Sequence, residues 1–165
     1  MPDKATRERA REDKREGKAP STQAGEFVRE EMEHIREGKH GARSTKQAIA
    51  IGLSKARRAG VALRPPAKGT TSRRTRRNAQ NALRRGRSRR KPSARRSRAT
   101  SGALRREGRA AASRPALARQ ARGAARRRGG RARSAAAQRA ARTKGPRRRR
   151  AAARKAARTR ARSRR

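Results

Sequence analysis

The chain has no cysteine, no tryptophan and no tyrosine, and its one aromatic residue among Phe, Trp and Tyr is Phe27. Without cysteine there is no disulfide framework and no thiolate chemistry. With a single aromatic ring, stacking of bases on exposed side chains is excluded as the way it would hold single-stranded nucleic acid. Long apolar runs are missing too: nothing approaches the ~18 residues that span a bilayer. The N-terminal stretch lacks an apolar h-region, so it does not read as a secretory signal, and Asp3, Glu8, Glu12, Asp13 and Glu16 argue against an acid-poor transit peptide. These absences predict a cytoplasmic protein with no membrane role. Acid is also scarce over most of the chain: of 11 Asp and Glu, only Glu107 lies beyond residue 63.

What is present is positive charge. The 165 residues carry a formal net charge of +44. Residues 1–63 hold 15 Lys and Arg against 10 acids, whereas residues 64–165 hold 40 against one. An asymmetry of this kind points to a basic tail that meets a polyanion. Only 30% of the residues are hydrophobic, and much of that is alanine. Such a composition offers too little apolar surface to offset the entropy of ordering the chain. The expected fold class is therefore mostly disordered, with a small all-α helix–loop–helix hairpin near the N-terminus and transient Ala/Arg helices in the tail. Residues 1–19 read as a charged arm, helical but without an apolar stripe to dock it. Residues 20–63 read as the hairpin domain and residues 64–165 as a disordered basic tail.

The hairpin follows from periodicity. After Pro20, Ser21 or Thr22 can cap a helix N-terminus. Ala24, Phe27, Val28, Met32 and Ile35 recur at spacings of three and four, which is one face of an amphipathic helix. Gly38 stands where a glycine closes a helix C-terminus. Ser44 and Gln47 then fit a capping box. Ala48, Ile49, Gly52, Leu53 and Ala56 form the stripe of a second helix, and Gly60 is its closing glycine. Nine large apolar side chains are few for some forty ordered residues. The hairpin is thus expected to be marginal alone and to gain stability from a second copy or a protein partner.

The tail is low in complexity. Beyond residue 63 only Leu83, Leu104 and Leu117 are large and apolar. Stretches 131–142 and 147–161 are rich in Ala and Arg and favour helix, with charge repulsion expected to keep them unfolded until phosphate neutralises them. The arginine clusters are the candidate phosphate contacts: Arg73, Arg74, Arg76, Arg77, Arg84, Arg85, Arg87, Arg89, Arg90, Lys91, Arg126, Arg127, Arg128, Arg147, Arg148, Arg149 and Arg150. Each phosphate engaged releases condensed counterions, and ten contacts to duplex DNA give a log–log salt slope of roughly −9. In the hairpin, Arg43, Ser44, Lys46 and Gln47 are types that reach phosphates and base edges, although Ser44 and Gln47 serve equally as caps. His34, His40, Glu30, Glu31, Glu33 and Glu37 match no familiar metal or acid–base spacing and read as a solvated face. No metal, no cofactor and no enzymatic activity are expected.

The segment PSTQAGEFVREEMEHIREGKHGARSTKQAIAIGLSKARRAGV, residues 20–61, resembles a small bacterial domain family of uncharacterised function. The shared features are a charged helix, a Gly- and Lys-rich loop and a helix of the KQAIAIGLSKARRAG type. The resemblance covers about a quarter of the chain and implies no catalytic residues; some members of that family are labelled DNA-binding or plasmid-stabilisation proteins. The tail resembles bacterial linker-histone-like proteins and protamines by composition, departing from the former in using arginine rather than lysine. Together these features predict a nucleoid-associated, histone-like protein that binds duplex DNA without sequence preference. An RNA-binding or ribosome-associated protein, and an adaptor whose hairpin binds a protein, are the alternatives.

Overall fold

A computed structural model describes residues 2–88 and 93–163, with the side chains at 143, 144, 148 and 163 outside the description. It overturns the expectation of a mostly disordered chain, because 77% of the protein is helical. Six helices follow in order: α1 (Lys4–Arg15), α2 (Pro20–Arg36), α3 (Thr45–Arg58), α4 (Arg73–Arg87), α5 (Ala94–Arg105) and α6 (Arg114–Ser163), with a 3-10 turn at Ala110–Ala112 before α6. The chain divides into two compact units, Met1–Gln120 and Ala121–Arg165. The reason for the reversal is twofold. Alanine and arginine are among the strongest helix formers, and that preference outweighs the few tenths of a kcal/mol that each like-charged i,i+4 pair costs. Alanine also builds core when helices approach closely.

In the first unit α2 and α3 form the hairpin that their stripes predict. Pro20 opens α2 as its first helical residue after Ala19, with no side-chain cap from Ser21 or Thr22; a proline there gives up no hydrogen bond. Gly38 and Gly60 close α2 and α3 with φ of 78° and 92°. The Lys39 N–H returns to the His34 carbonyl and the Val61 N–H to the Ala56 carbonyl, which satisfies carbonyls that the helix ends would leave open. The two helices cross at Gly52. A Cβ there would lie 2.8 Å from the Val28 Cα and 3.0 Å from the Phe27 carbonyl oxygen, so only glycine fits this crossing.

The hairpin is covered by segments that lack an evident apolar pattern. The charged arm is docked rather than solvated: α1 packs on α2 through Thr6, Ala10 and Asp13, which are buried. Arg9 Nε donates to Glu26 Oε2 at 2.7 Å, and Lys18 Nζ to Asp13 Oδ1 at 2.7 Å. Helix α4 packs on α3 with Ala79 and Ala82 buried. The turn at Ala110–Ala112 packs on both α2 and α3. Thr45 Oγ1 donates to the Ala111 carbonyl at 2.7 Å and Arg36 Nε to the Ala112 carbonyl at 3.0 Å. In the loop between α2 and α3, the Gly41 and Ala42 N–H groups donate to the carbonyls of Leu104 and Gly108.

Two apolar clusters result. One joins Met32, Ile35, Ala42, Ala48, Ala111 and Ala112, with Val28, Ile49 and Leu117 against it. The other joins Ala10, Ala24, Phe27, Ala56 and Val61, flanked by Leu53 and Leu63. The cover that the bare hairpin lacks thus comes from its own chain on either side.

The second unit is helical backbone with little to bury. α6 is interrupted where Gly129 and Gly145 take non-helical angles, φ 74° and ψ 168°, and φ 64° and ψ 170°. Pro146 follows the second break and opens the last segment, 146–163, as a first-turn proline does. Side chains at 126–140 are exposed without exception.

Candidate nucleic-acid interface

The predicted phosphate contacts fall on helices rather than on irregular chain. Arg73, Arg74, Arg76, Arg77, Arg84, Arg85 and Arg87 all lie on α4. Its Ala79, Ala82, Leu83 and Gly86 are spaced for one face, and Ala79 and Ala82 are the positions buried, so the arginines other than Arg76 fall on the other sides. All are exposed except Arg76, which is half-buried and whose Nε is shielded with no hydrogen-bond partner. Arg84 Nη2 donates to Asn81 Oδ1 at 2.6 Å. Arg126, Arg127 and Arg128 end the first segment of α6 and are exposed, as are Arg147, Arg149 and Arg150. Arg148 is in the same helix, its side chain outside the description; Arg89, Arg90 and Lys91 lie outside the described residues.

The last segment of α6 carries a basic face that clusters of adjacent arginines do not reveal. Arg147, Arg150, Arg154, Lys155 and Arg158 line one shallow groove around Ala151. Their spacings of three, four, seven, eight and eleven put them on one side of a helix. Arg154, Lys155 and Arg158 were not among the predicted contacts; that periodicity is the signal that finds them. Arg95, Arg96 and Arg98 on α5 are likewise exposed and belong with them.

The four hairpin candidates divide. The Ser44 hydroxyl accepts from the Gln47 N–H at 3.2 Å, and Gln47 Oε1 accepts from the Arg43 N–H at 2.8 Å. Both side chains are occupied: Ser44 caps α3 as expected, while Gln47 reaches back to the Arg43 N–H and not to the Ser44 N–H that a capping box would use. Arg43 and Lys46 are exposed, at the N-terminal end of α3. Helix α4 meets the other end of α3, where a Cβ on Gly86 would come within 2.5 Å of the Arg57 carbonyl. At this crossing, loss of surrounding water pushes the Arg58 guanidinium below its ordinary pKa, and the charge of Arg85 pushes it further. Burial also lowers Arg57, whose Nε and Nη2 donate to the Leu63 and Arg64 carbonyls.

Glu30 and Glu31 are not on a solvated face. They are 2% and 0% exposed, and Lys55 of α3 reaches both, at 3.8 Å and 2.6 Å. The signal for Glu31 is its position: it is four residues from Phe27 and four from Ile35, on the buried stripe itself.

No helix among the described residues is long and apolar enough to cross a membrane. Comparison with known proteins finds no matching family model, no matching curated protein and no matching solved structure.

Proposed function

We propose that the protein binds duplex DNA without sequence preference, as a histone-like protein of the bacterial nucleoid, through exposed basic helices. The observation that carries this reading is a long basic stretch that holds no acidic residue of its own. Residues 121–165 hold 20 Lys and Arg and no acid, on a helical backbone whose described side chains are almost all exposed. With no acidic side chain in that stretch, an external polyanion is the natural counterpart.

Spacing supports a duplex. Segment 146–163 is about 27 Å long at the helical rise of about 1.5 Å. It carries nine basic residues, at 147–150, 154, 155, 158, 160 and 162. That is about one charge per 3 Å, close to the phosphate repeat of about 3.4 Å along one strand. Arginine forks onto phosphate oxygens, and a major groove about 12 Å wide admits a helix. The shortage of aromatic rings disfavours single strands. The first unit would serve as a folded platform that presents α4 and α5, with Arg43 and Lys46 adding phosphate contacts.

Equilibrium competition tests this. Full-length protein on a labelled duplex should be displaced equally by duplexes of unrelated sequence, and more weakly by single-stranded DNA of equal length. A preference of a hundredfold or more for one sequence, or for a structured RNA, would overturn it.

A further inference from the structure

We propose that the first unit contains a site for one divalent transition-metal ion such as Zn²⁺, held by Glu31, His34 and His40. The donor atoms of these three residues lie within 4.8 Å of one another, and Asp3 and Glu30 form a second such group with His34. Two imidazoles and a carboxylate are a borderline donor set suited to zinc. With metal–ligand bonds of about 2.0–2.1 Å, a tetrahedral site needs donors about 3.3 Å apart. His40 Nε2 stands 3.4 Å from Glu31 Oε1.

Two independent features point into this site. The Glu31 carboxylate is fully buried, yet its Oε1 makes no hydrogen bond, and neither does the Oε2 of the buried Glu30. A buried carboxylate oxygen without a donor is costly, and a cation removes the cost. The second feature is the support around the donors. His40 Nδ1 is 3.1 Å from the Gly41 carbonyl. A carbonyl only accepts, so that nitrogen carries a proton and Nε2 is the one turned to Glu31. Ligating histidines are fixed in this way through their other nitrogen. Lys55 Nζ sits 2.6 Å from Glu31 Oε2, which leaves Oε1 as the free donor and orients it.

Charge favours the same conclusion. Glu30 and Glu31 are buried with one lysine between them, while Asp3 Oδ2 lies 3.5 Å from His34 Nε2. Three carboxylates thus gather around the two histidines in a chain of net charge +44, and Lys55 is the cation in contact with the buried pair. The ion would tie α2 to the loop after it and, through Lys55, to α3.

The test uses tag-free, chelator-stripped, full-length protein. Zinc titration by calorimetry should give one ion per chain, and Co²⁺ should develop the intense visible bands of tetrahedral coordination. His40→Gln and His34→Gln should each weaken binding by at least tenfold while the far-ultraviolet spectrum keeps its helix content; should either variant unfold, the Co²⁺ spectrum of the wild-type protein decides. Absence of saturable binding, or six-coordinate Co²⁺ spectra unchanged by His34→Gln, would overturn the proposal. Retention of zinc affinity in both histidine variants would do the same.

Discussion

Two glycine-to-alanine substitutions, both inside helices, are expected to act in opposite directions. In Gly25→Ala the new Cβ meets nothing within 4 Å. The only change is helix propensity, a gain of about 1 kcal/mol. In Gly52→Ala the same gain is opposed by contact with α2, where the new Cβ would stand 2.8 Å from the Val28 Cα and 3.0 Å from the Phe27 carbonyl oxygen. Both atoms are backbone, so no rotamer relieves the clash. Ordinary carbon contacts begin at about 3.5 Å, and the helices must separate by roughly 0.7 Å. Overpacking of this kind costs about 1–3 kcal/mol, which leaves Gly52→Ala destabilised by up to about 2 kcal/mol after the propensity gain. The two variants should therefore differ by the overpacking cost alone, about 1–3 kcal/mol, or roughly 0.7–2 M in urea midpoint for an m-value of about 1.5 kcal/mol/M. Urea unfolding of the full chain followed by circular dichroism reads this. If Gly52→Ala stabilises as much as Gly25→Ala, the close α2–α3 crossing is wrong.

Removing the Lys55 ammonium leaves two buried carboxylates without it, so Lys55→Met in chelator-stripped protein should cost about 3–5 kcal/mol, read from the same urea midpoint. Ser44→Ala loses the cap of α3 and should cost about 1 kcal/mol, while its affinity for duplex DNA in an electrophoretic or anisotropy assay should be unchanged. Arg85 presses on Arg58 as a like charge; Arg85→Gln should raise the thermal midpoint slightly, a few tenths of a kcal/mol, and the gain should shrink as salt screens the pair.

The sequence made local features legible and non-local ones obscure. The stripes of α2 and α3, the glycines at 38 and 60 and the Ser44 cap are signals within one or two helical turns, and each has its predicted place. Burial of α1 was not legible, because Thr6, Ala10 and Asp13 do not look like a core stripe. Folding beyond residue 64 was obscured for a related reason. Ala79, Ala82, Ala111 and Ala112 count for little by hydrophobicity, yet they are buried because the helices and turns around them come close. The hydrogen bond from Thr45 to Ala111 joins residues 66 positions apart, and no periodicity announces such a pairing. Charge also misled at Glu31: acidity suggested solvent, whereas its place between Phe27 and Ile35 put it in the interior, facing a lysine 24 residues away. Of the candidate interface, the arginine clusters were visible as runs, but the face from Arg147 to Arg158 needed the helix to be seen.

The central claim is that exposed basic helices bind duplex DNA through its phosphates, and the salt dependence of binding tests it most directly. Affinity of the full-length protein for a mixed-sequence duplex, measured between about 50 and 200 mM salt, should fall along a log–log line with slope of roughly −9 or steeper, the value for ten or more phosphate contacts. An affinity that stays level across that range would contradict the account.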